Sequence, residues 1–181
     1  MRIPVFLSHP TPYNTKQKEF IEKLKNILKD RGLEPRTLGV TDYNMTAPLT
    51  TIRRLMLESN GVLCVALKRY YIEKGITNKD SDLDREEKDI SNKYITSPYC
   101  QIEPAMGFQL GLPILILREK DVIDDGLLEK GVLGIYMPSE IDLSKSPEEY
   151  FDNEEIKSLL DEWGSYVRSV AKNKGNPPKL Y

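Results

Sequence analysis

One acidic side chain differs sharply from the residues around it. Glu103 is the only charged residue between Ile95 and Leu117, in a stretch rich in apolar side chains. Burying a bare carboxylate is costly, so this acid needs a hydrogen-bond partner, a solvent-lined pocket or a proton. Two interpretations follow. The carboxylate acts as a nucleophile, a base or a ligand for ribose hydroxyls, or it caps backbone N–H groups near a helix N-terminus.

Three pairs of polar residues could meet a ligand beside this acid. One pair ends the first apolar run, one lies in the loop after the second run, and one precedes Glu103. Each also has an ordinary interpretation as a turn, loop or capping residue. The glycine-rich phosphate-binding motifs GxGxxG and GxxxxGK do not occur. The candidate substrate-binding residues are Ser8, His9, Asp42, Tyr43, Ser97 and Tyr99.

Five apolar runs alternate with segments of helical spacing. The runs, which we interpret as strands, are residues 3–7, 34–38, 62–67, 114–117 and 132–137. Predicted helices separate these runs, including a short helix over 121–130, and a long final helix over 147–172 follows the last run. Such alternation predicts an α/β fold: a flavodoxin-like three-layer sandwich with a five-stranded parallel sheet of order 2-1-3-4-5 and helices on both faces.

This strand order predicts where a ligand binds. Ligands of open parallel sheets lie beyond the carboxyl ends of the strands, here between the first and third strands. The loops that meet there are residues 8–14, the segment from Lys68 onward and the start of the helix near Ser97. If that helix starts at Pro98, Glu103 lies in its second turn; if it starts at Pro104, Glu103 is its cap.

More than half of the residues from 73 to 93 are charged. Such a composition is typical of a solvated, mobile excursion, and a long segment of this kind can also serve as a lid over a neighbouring site. We expect one domain over residues 1–173 that includes this insertion. Residues 174–181 are predicted to form a flexible tail.

Composition excludes several classes of function. The 181 residues carry a net charge of −2, which argues against a nucleic-acid partner. No apolar run reaches the roughly 18 residues that cross a bilayer, and no signal peptide is evident, so we predict a cytoplasmic protein without a membrane partner. With one histidine and two separated cysteines, we predict no metal site and no cofactor. Cys64 and Cys100 are expected to be reduced core thiols.

Two short motifs resemble those of TIR domains. Residues 5–9 (VFLSH) resemble the first TIR box, a strand that ends in phenylalanine, an aliphatic residue and serine. Residues 97–103 (SPYCQIE) resemble the TIR segment in which serine, an aromatic residue, cysteine and glutamate open a helix. The resemblance implies that Glu103 is the catalytic glutamate that cleaves the nicotinamide–ribose bond of NAD. The TIR loop after the second strand would correspond to residues 39–48.

A second resemblance covers the residues that follow. Residues 103–117 (EPAMGFQLGLPILIL) are similar to the nucleoside 2-deoxyribosyltransferase pattern of glutamate, small residues and a Leu-Gly-x-Pro turn into a strand. That family uses its glutamate as a nucleophile on the sugar C1′. The resemblance thus implies the same residue and the same kind of bond, with a nucleoside or nucleotide as substrate.

The hypothesis from the sequence is a TIR-like enzyme that cleaves the N-glycosidic bond of NAD or a related nucleotide. NAD is then a substrate rather than a cofactor. The TIR resemblance also implies a possible homo-oligomer and, in a bacterium, a role in antiviral defence. The alternatives are a deoxyribosyltransferase-like enzyme and a non-catalytic module that senses nucleotides or assembles with its own kind.

Overall fold

The computed structural model describes residues 2–38, 47–132 and 137–174. Strands and helices alternate in its first half, and helices dominate its last third. The strands are β1 Ile3–Ser8, β2 Leu33–Arg36, β3 Val62–Ala66, β4 Tyr70–Ile72, β5 Ile76–Thr77, β6 Lys88–Asp89, β7 Lys93–Ile95 and β8 Ile114–Arg118. The helices are α1 Thr15–Asp30, α2 Pro48–Glu58, α3 Tyr99–Gln109, α4 Pro147–Phe151 and α5 Glu154–Lys172.

Four strands form one parallel sheet in the order β2-β1-β3-β8. An α/β fold with a parallel sheet is therefore confirmed, and these strands follow the predicted order. The predicted fifth strand, residues 132–137, falls mostly outside the described residues. Within the described ranges, Ile141 makes a single parallel bridge to Glu119, just beyond the end of β8.

Alternating residues of the sheet strands enter two hydrophobic clusters. In β1, Val5 and Leu7 pack in the cluster that holds α1 and α5 residues, whereas Phe6 packs with residues of α2 and α3. Side chains along a strand point to opposite faces in turn, so the two clusters lie on opposite sides of the sheet. Ser8, two residues after Phe6, therefore points to the α3 side.

Two predicted helices differ from those observed. Residues 121–130 were expected to form a short helix, but only the 3-10 turn Gly126–Leu128 is present. Asp121 and Gly126 both have positive φ, which interrupts a right-handed helix. The predicted helix over 147–172 is instead two helices, because Asn153 is extended and its side chain accepts from Glu155 N–H as the N-cap of α5.

The charged insertion is built from two short antiparallel ladders. β4 pairs with β7, and β5 pairs with β6 inside that hairpin. Asn78, Asp80 and Asp84 adopt positive φ in its turns, a conformation that short polar side chains tolerate. The segment is thus hydrogen-bonded hairpin structure, and its expected mobility stays a prediction. Its predicted role as a lid stays a prediction.

The remaining expectations concern the tail and the membrane. Apart from Lys174, the predicted tail at 174–181 lies outside the described residues. None of the helices in the three described ranges combines the length and apolarity that a bilayer crossing requires.

Gly107 lets α3 approach the sheet closely. A Cβ at this position would lie 2.5 Å from Val62 Cγ2 of β3. We expect Gly107→Ala to destabilise the protein by about 1–3 kcal/mol, even though alanine favours a helix, because overpacking forces backbone shifts. Urea unfolding measures this change, with Gln109→Ala on the exposed side of the same helix as control. Equal stability of wild type and Gly107→Ala would contradict the close approach.

Candidate functional site

Glu103 lies in the second turn of α3, as one of the two predicted helix starts required. Its side chain is 7% exposed, and it accepts a short hydrogen bond at Oε2 from the Ser8 hydroxyl. Ser8 is the last residue of β1 and is itself buried. The strand end and the helix therefore hold the carboxylate between them at the carboxyl edge of the sheet.

Pro104 leaves a gap in the hydrogen bonding of α3, and β3 fills it. Proline has no N–H, so the Cys100 carbonyl lacks its helical donor. The Cys64 thiol of β3 donates to that carbonyl at 3.6 Å. Both cysteines are buried and free, as expected for core thiols. A hydrogen bond at Cys100, about one turn before Glu103, thus joins this helix to β3.

Burial dominates the electrostatics of Glu103. Desolvation raises its pKa from 4.5 to about 7, and the hydrogen bond from Ser8 opposes this increase by favouring the ionised form. Near neutral pH the carboxylate and the neutral acid are both populated. Such a group can serve as a base, a nucleophile or an electrostatic stabiliser of a cation.

A cleft of about 170 Å³ opens beside Glu103. Phe6 and Ile52 give it an apolar floor, whereas hydroxyl groups and one guanidinium lie on its walls. Its other described lining residues are Leu7, His9, Pro10, Thr11, Thr37, Leu38, Arg69, Ser97 and Tyr99. This mixture of apolar surface and a few convergent polar groups is typical of small-molecule sites.

The structure brings most of the predicted site residues together. His9, Ser97, Tyr99 and Glu103 line one cleft, and Ser8 contacts it through its bond to Glu103. Tyr99 is 39% exposed at the rim. Asp42 and Tyr43 lie outside the described residues. The functional roles assigned to all of these residues from the sequence stay predictions.

The hydrogen bond from His9 to the backbone fixes its tautomer, with the proton on Nδ1 and an acceptor at Nε2. Its Nδ1 lies 2.7 Å from the Pro10 carbonyl oxygen, so a proton on Nδ1 donates to that oxygen. Its Nε2 is buried without a hydrogen-bond partner. Burial lowers the pKa of His9, and the Pro10 carbonyl opposes this effect less strongly. The imidazole is therefore neutral at pH 7.

Sequence reasoning missed Arg69, the only cationic side chain among the described lining residues. Its guanidinium donates to Ser97 Oγ at 3.3 Å and lies 5.1 Å from the centroid of Tyr70. No carboxylate of the described residues lies within ion-pair distance of it. The available signal was its position just after the third strand, at the edge where the pocket was predicted.

Metal ligands are not grouped in this site. Among the residues that the structure describes, no set of three or more His, Cys, Asp and Glu side chains could hold a metal ion. The fold and the site define an α/β protein with one buried carboxylate in a cleft at the carboxyl edge of a parallel sheet.

Comparisons with known proteins find likeness in structure alone. No protein-family model matches the sequence, and no curated protein matches it. A Clostridium botulinum CMP N-glycosidase, BcmB, is 17% identical, with 88% of this chain and 98% of that chain covered and a TM-score of 0.48. The TIR domains of the activated Roq1 resistosome are 15% identical, with 94% and 84% covered and a TM-score of 0.42.

A 2-deoxyribosyltransferase from Leishmania mexicana is 9% identical, with 84% of this chain and 99% of that chain covered and a TM-score of 0.46. Both kinds of protein that the sequence motifs resemble are therefore among the similar structures. At these identities and TM-scores the likeness carries no argument about the reaction. The case for a function rests on the residues of the cleft.

Proposed function

We propose that the Glu103 cleft hydrolyses the N-glycosidic bond of a nucleotide, with the nicotinamide–ribose bond of NAD as the leading substrate. The observation that carries this proposal is a buried carboxylate, fixed by Ser8 and facing a cleft that contains one guanidinium without a carboxylate partner among the described residues. The proposal includes a flavodoxin-like arrangement of the whole sheet, with residues 132–137 as its fifth strand.

The chemistry of the leaving group favours a pyridinium nucleotide. Glycosidic cleavage normally uses two carboxylic groups, one of which protonates the leaving group. Among the described lining residues there is one carboxylate, and His9 is neutral. Nicotinamide leaves NAD as a neutral molecule, because the electron pair of the broken bond cancels its positive charge. No acid is then needed, whereas a neutral nucleoside base requires protonation.

Ionised Glu103 would stabilise the positive charge that develops at C1′, or attack that carbon directly. The C1′–N bond breaks with its electron pair on the nitrogen of nicotinamide. Water then supplies oxygen to C1′ and releases one proton. A largely buried carboxylate such as Glu103 stabilises such a cation better than an exposed one would. The apolar floor of the cleft suits the nicotinamide ring.

Arg69 favours a phosphorylated substrate. A guanidinium without a carboxylate partner is suited to bind phosphate through its planar set of donors. The hydrogen bond to Ser97 holds this side chain at the wall of the cleft. NAD carries phosphates on the ribose side of the scissile bond, and a nucleoside does not.

We therefore expect the protein to release nicotinamide from NAD faster than from nicotinamide riboside, which has the same scissile bond without phosphate. Chromatography of the released base measures both rates. Arg69→Ala should raise KM for NAD by about 10-fold or more, from the loss of a charge-assisted contact, and leave turnover of the riboside unchanged. Lys130→Ala, an exposed charge change, is the matched control.

Other outcomes of the same assay would redirect the proposal. Release or exchange of bases from deoxynucleosides, with NAD untouched, would favour a deoxyribosyltransferase-like enzyme. Saturable binding of NAD without turnover at any protein concentration would favour a nucleotide-sensing module.

The pH profile should follow the ionisation of Glu103. The ionised form of Glu103 is the one that stabilises or attacks C1′. The kcat/KM of the wild type should therefore rise with pH through an inflection near 7, the pKa of this carboxyl. The Ser8 hydrogen bond lowers that pKa, so Ser8→Ala should move the inflection to higher pH. Initial rates from pH 5 to 9 measure the shift, and Ser81→Ala in the exposed insertion should leave it unchanged. A shift to lower pH would contradict the assignment.

A further inference from the structure

A second cleft lies at the same edge of the sheet, on the face that α1 covers. Glu119 follows β8 and continues the alternation of Leu115 and Leu117, which pack with α1 residues. The cleft beside it has a volume of about 430 Å³. The Glu103 cleft is on the α3 side. The two clefts share no described lining residue.

Glu119 is held rigidly at the base of this second cleft. Its side chain is 5% exposed, and its Oε2 accepts from the Lys68 backbone N–H at 2.8 Å and from Gln17 Nε2 at 3.1 Å. Gln17 is buried too. Its Nε2 also donates to the Lys68 carbonyl at 3.0 Å, and its Oε1 accepts from Tyr13 N–H at 3.2 Å.

The other carboxylate oxygen of Glu119, Oε1, takes no part in these hydrogen bonds. Among the described residues Oε1 has no hydrogen-bond partner. It is also not one of the unpartnered polar atoms that are fully buried, so it is accessible to a ligand. No Lys or Arg of the described chain lies within ion-pair distance of this carboxylate. A glutamine could accept the same two bonds without the cost of burying a charge. The hydrogen bonds that hold the loop therefore do not explain why this residue is an acid.

Cationic side chains also line the cleft. Lys16 and Lys120 are exposed and lie within ion-pair distance of no carboxylate in the described ranges. Lys68 differs, since it lies 4.6 Å from the centroid of Tyr94 and 3.7 Å from an Asp121 oxygen. Two further carboxylates line the cleft, and both already have partners: Asp121 pairs with Lys68 and Lys93, and Asp142 accepts from Ser144 N–H. The cleft thus presents one fixed hydrogen-bond acceptor and two lysines without an ion-pair partner among the described residues.

We infer that the Glu119 cleft binds a phosphorylated sugar. Hydroxyl groups of the sugar donate to Glu119 Oε1, an acceptor to which no described residue donates a hydrogen bond. The phosphate lies between Lys16 and Lys120, which bind it as point charges. The volume suits a small ligand of this kind. This binding site goes beyond the reaction proposed for Glu103 and does not depend on it.

The experiment titrates ribose 5-phosphate into the full chain by calorimetry, with ribose and inorganic phosphate as separate probes. Saturable binding of ribose 5-phosphate is expected, tighter than that of either part. Glu119→Gln should weaken it about 10-fold or more while keeping the bond to Lys68 N–H. The double variant Lys16→Ala/Lys120→Ala should weaken it as well and reduce its dependence on salt. Arg69→Ala, which removes the phosphate contact proposed for the other cleft, should leave this binding unchanged, as should the exposed charge change Lys172→Ala.

Three results would overturn the inference. One is the absence of saturable binding. Another is equal affinity for ribose 5-phosphate and inorganic phosphate, since Glu119 would then contribute nothing. The third is loss of binding in Arg69→Ala with full binding in Glu119→Gln, which would place the ligand in the other cleft. Because Lys16 and Lys120 are exposed, their variants keep the test decisive if Glu119→Gln fails to fold.

Discussion

Glu103→Gln is expected to lower kcat for nicotinamide release from NAD by about 10³-fold, the cost of removing one preorganised electrostatic group from a transition state. Glutamine has nearly the same shape and can still accept from the Ser8 hydroxyl. What it lacks is the negative charge that faces C1′. Chromatographic release of nicotinamide measures the loss, and KM should change little because the phosphates are bound elsewhere.

Glu129→Gln is the matched control, since this exposed acid does not line the cleft. It should retain the wild-type rate. A Glu103→Gln protein that is folded and as active as the wild type would remove this acid from the mechanism.

The same substitution is expected to stabilise the protein above pH 7. Folding raises the pKa of Glu103 from 4.5 to about 7, so between these values the native state holds a proton that the unfolded state has lost. Stability of the wild type therefore falls as pH rises through this window. Glutamine has no such loss. At pH 8 the variant should exceed the wild type by about 3 kcal/mol, at about 1.4 kcal/mol per pKa unit.

Urea unfolding at pH 4, 5, 6 and 8 tests this effect. Near pH 4 the acid is mostly protonated in both states, so the charge of Glu103 contributes little to the difference between the two proteins. The difference should grow with pH and level off above 7. A difference that is constant across this range, or that favours the wild type at pH 8, would contradict the raised pKa.

The sheet and its principal acid could be predicted because both leave strong patterns. Continuous apolar runs such as Val62–Ala66 indicate strands covered on both faces, and the order of elements limits how they pair. Glu103 was recognisable because a lone charge in an apolar stretch has few roles. Its meeting with Ser8 follows from the strand order, since both lie at the carboxyl edge of the sheet.

Other features leave no pattern in the sequence that is long or specific enough to predict them. The hairpins of the insertion consist of strands of two or three residues with charged side chains, too short for a period of two to be read. The break at Asn153 depends on one capping side chain inside an otherwise helical pattern. Arg69 and Glu119 each follow a strand, where the sequence offers many charged residues and only the fold selects among them.

The hairpin segment between Arg69 and Ser97, which contains the insertion, meets the Glu103 cleft only through these two flanking residues. Arg69 N–H donates to the Ile95 carbonyl at 3.1 Å, and the Arg69 side chain reaches Ser97, so the segment between them begins and ends at one place. The entropy cost of closing a loop grows only with the logarithm of its length. Evolution can therefore lengthen, shorten or rewrite the part in between while the distance between the two anchoring residues stays the same.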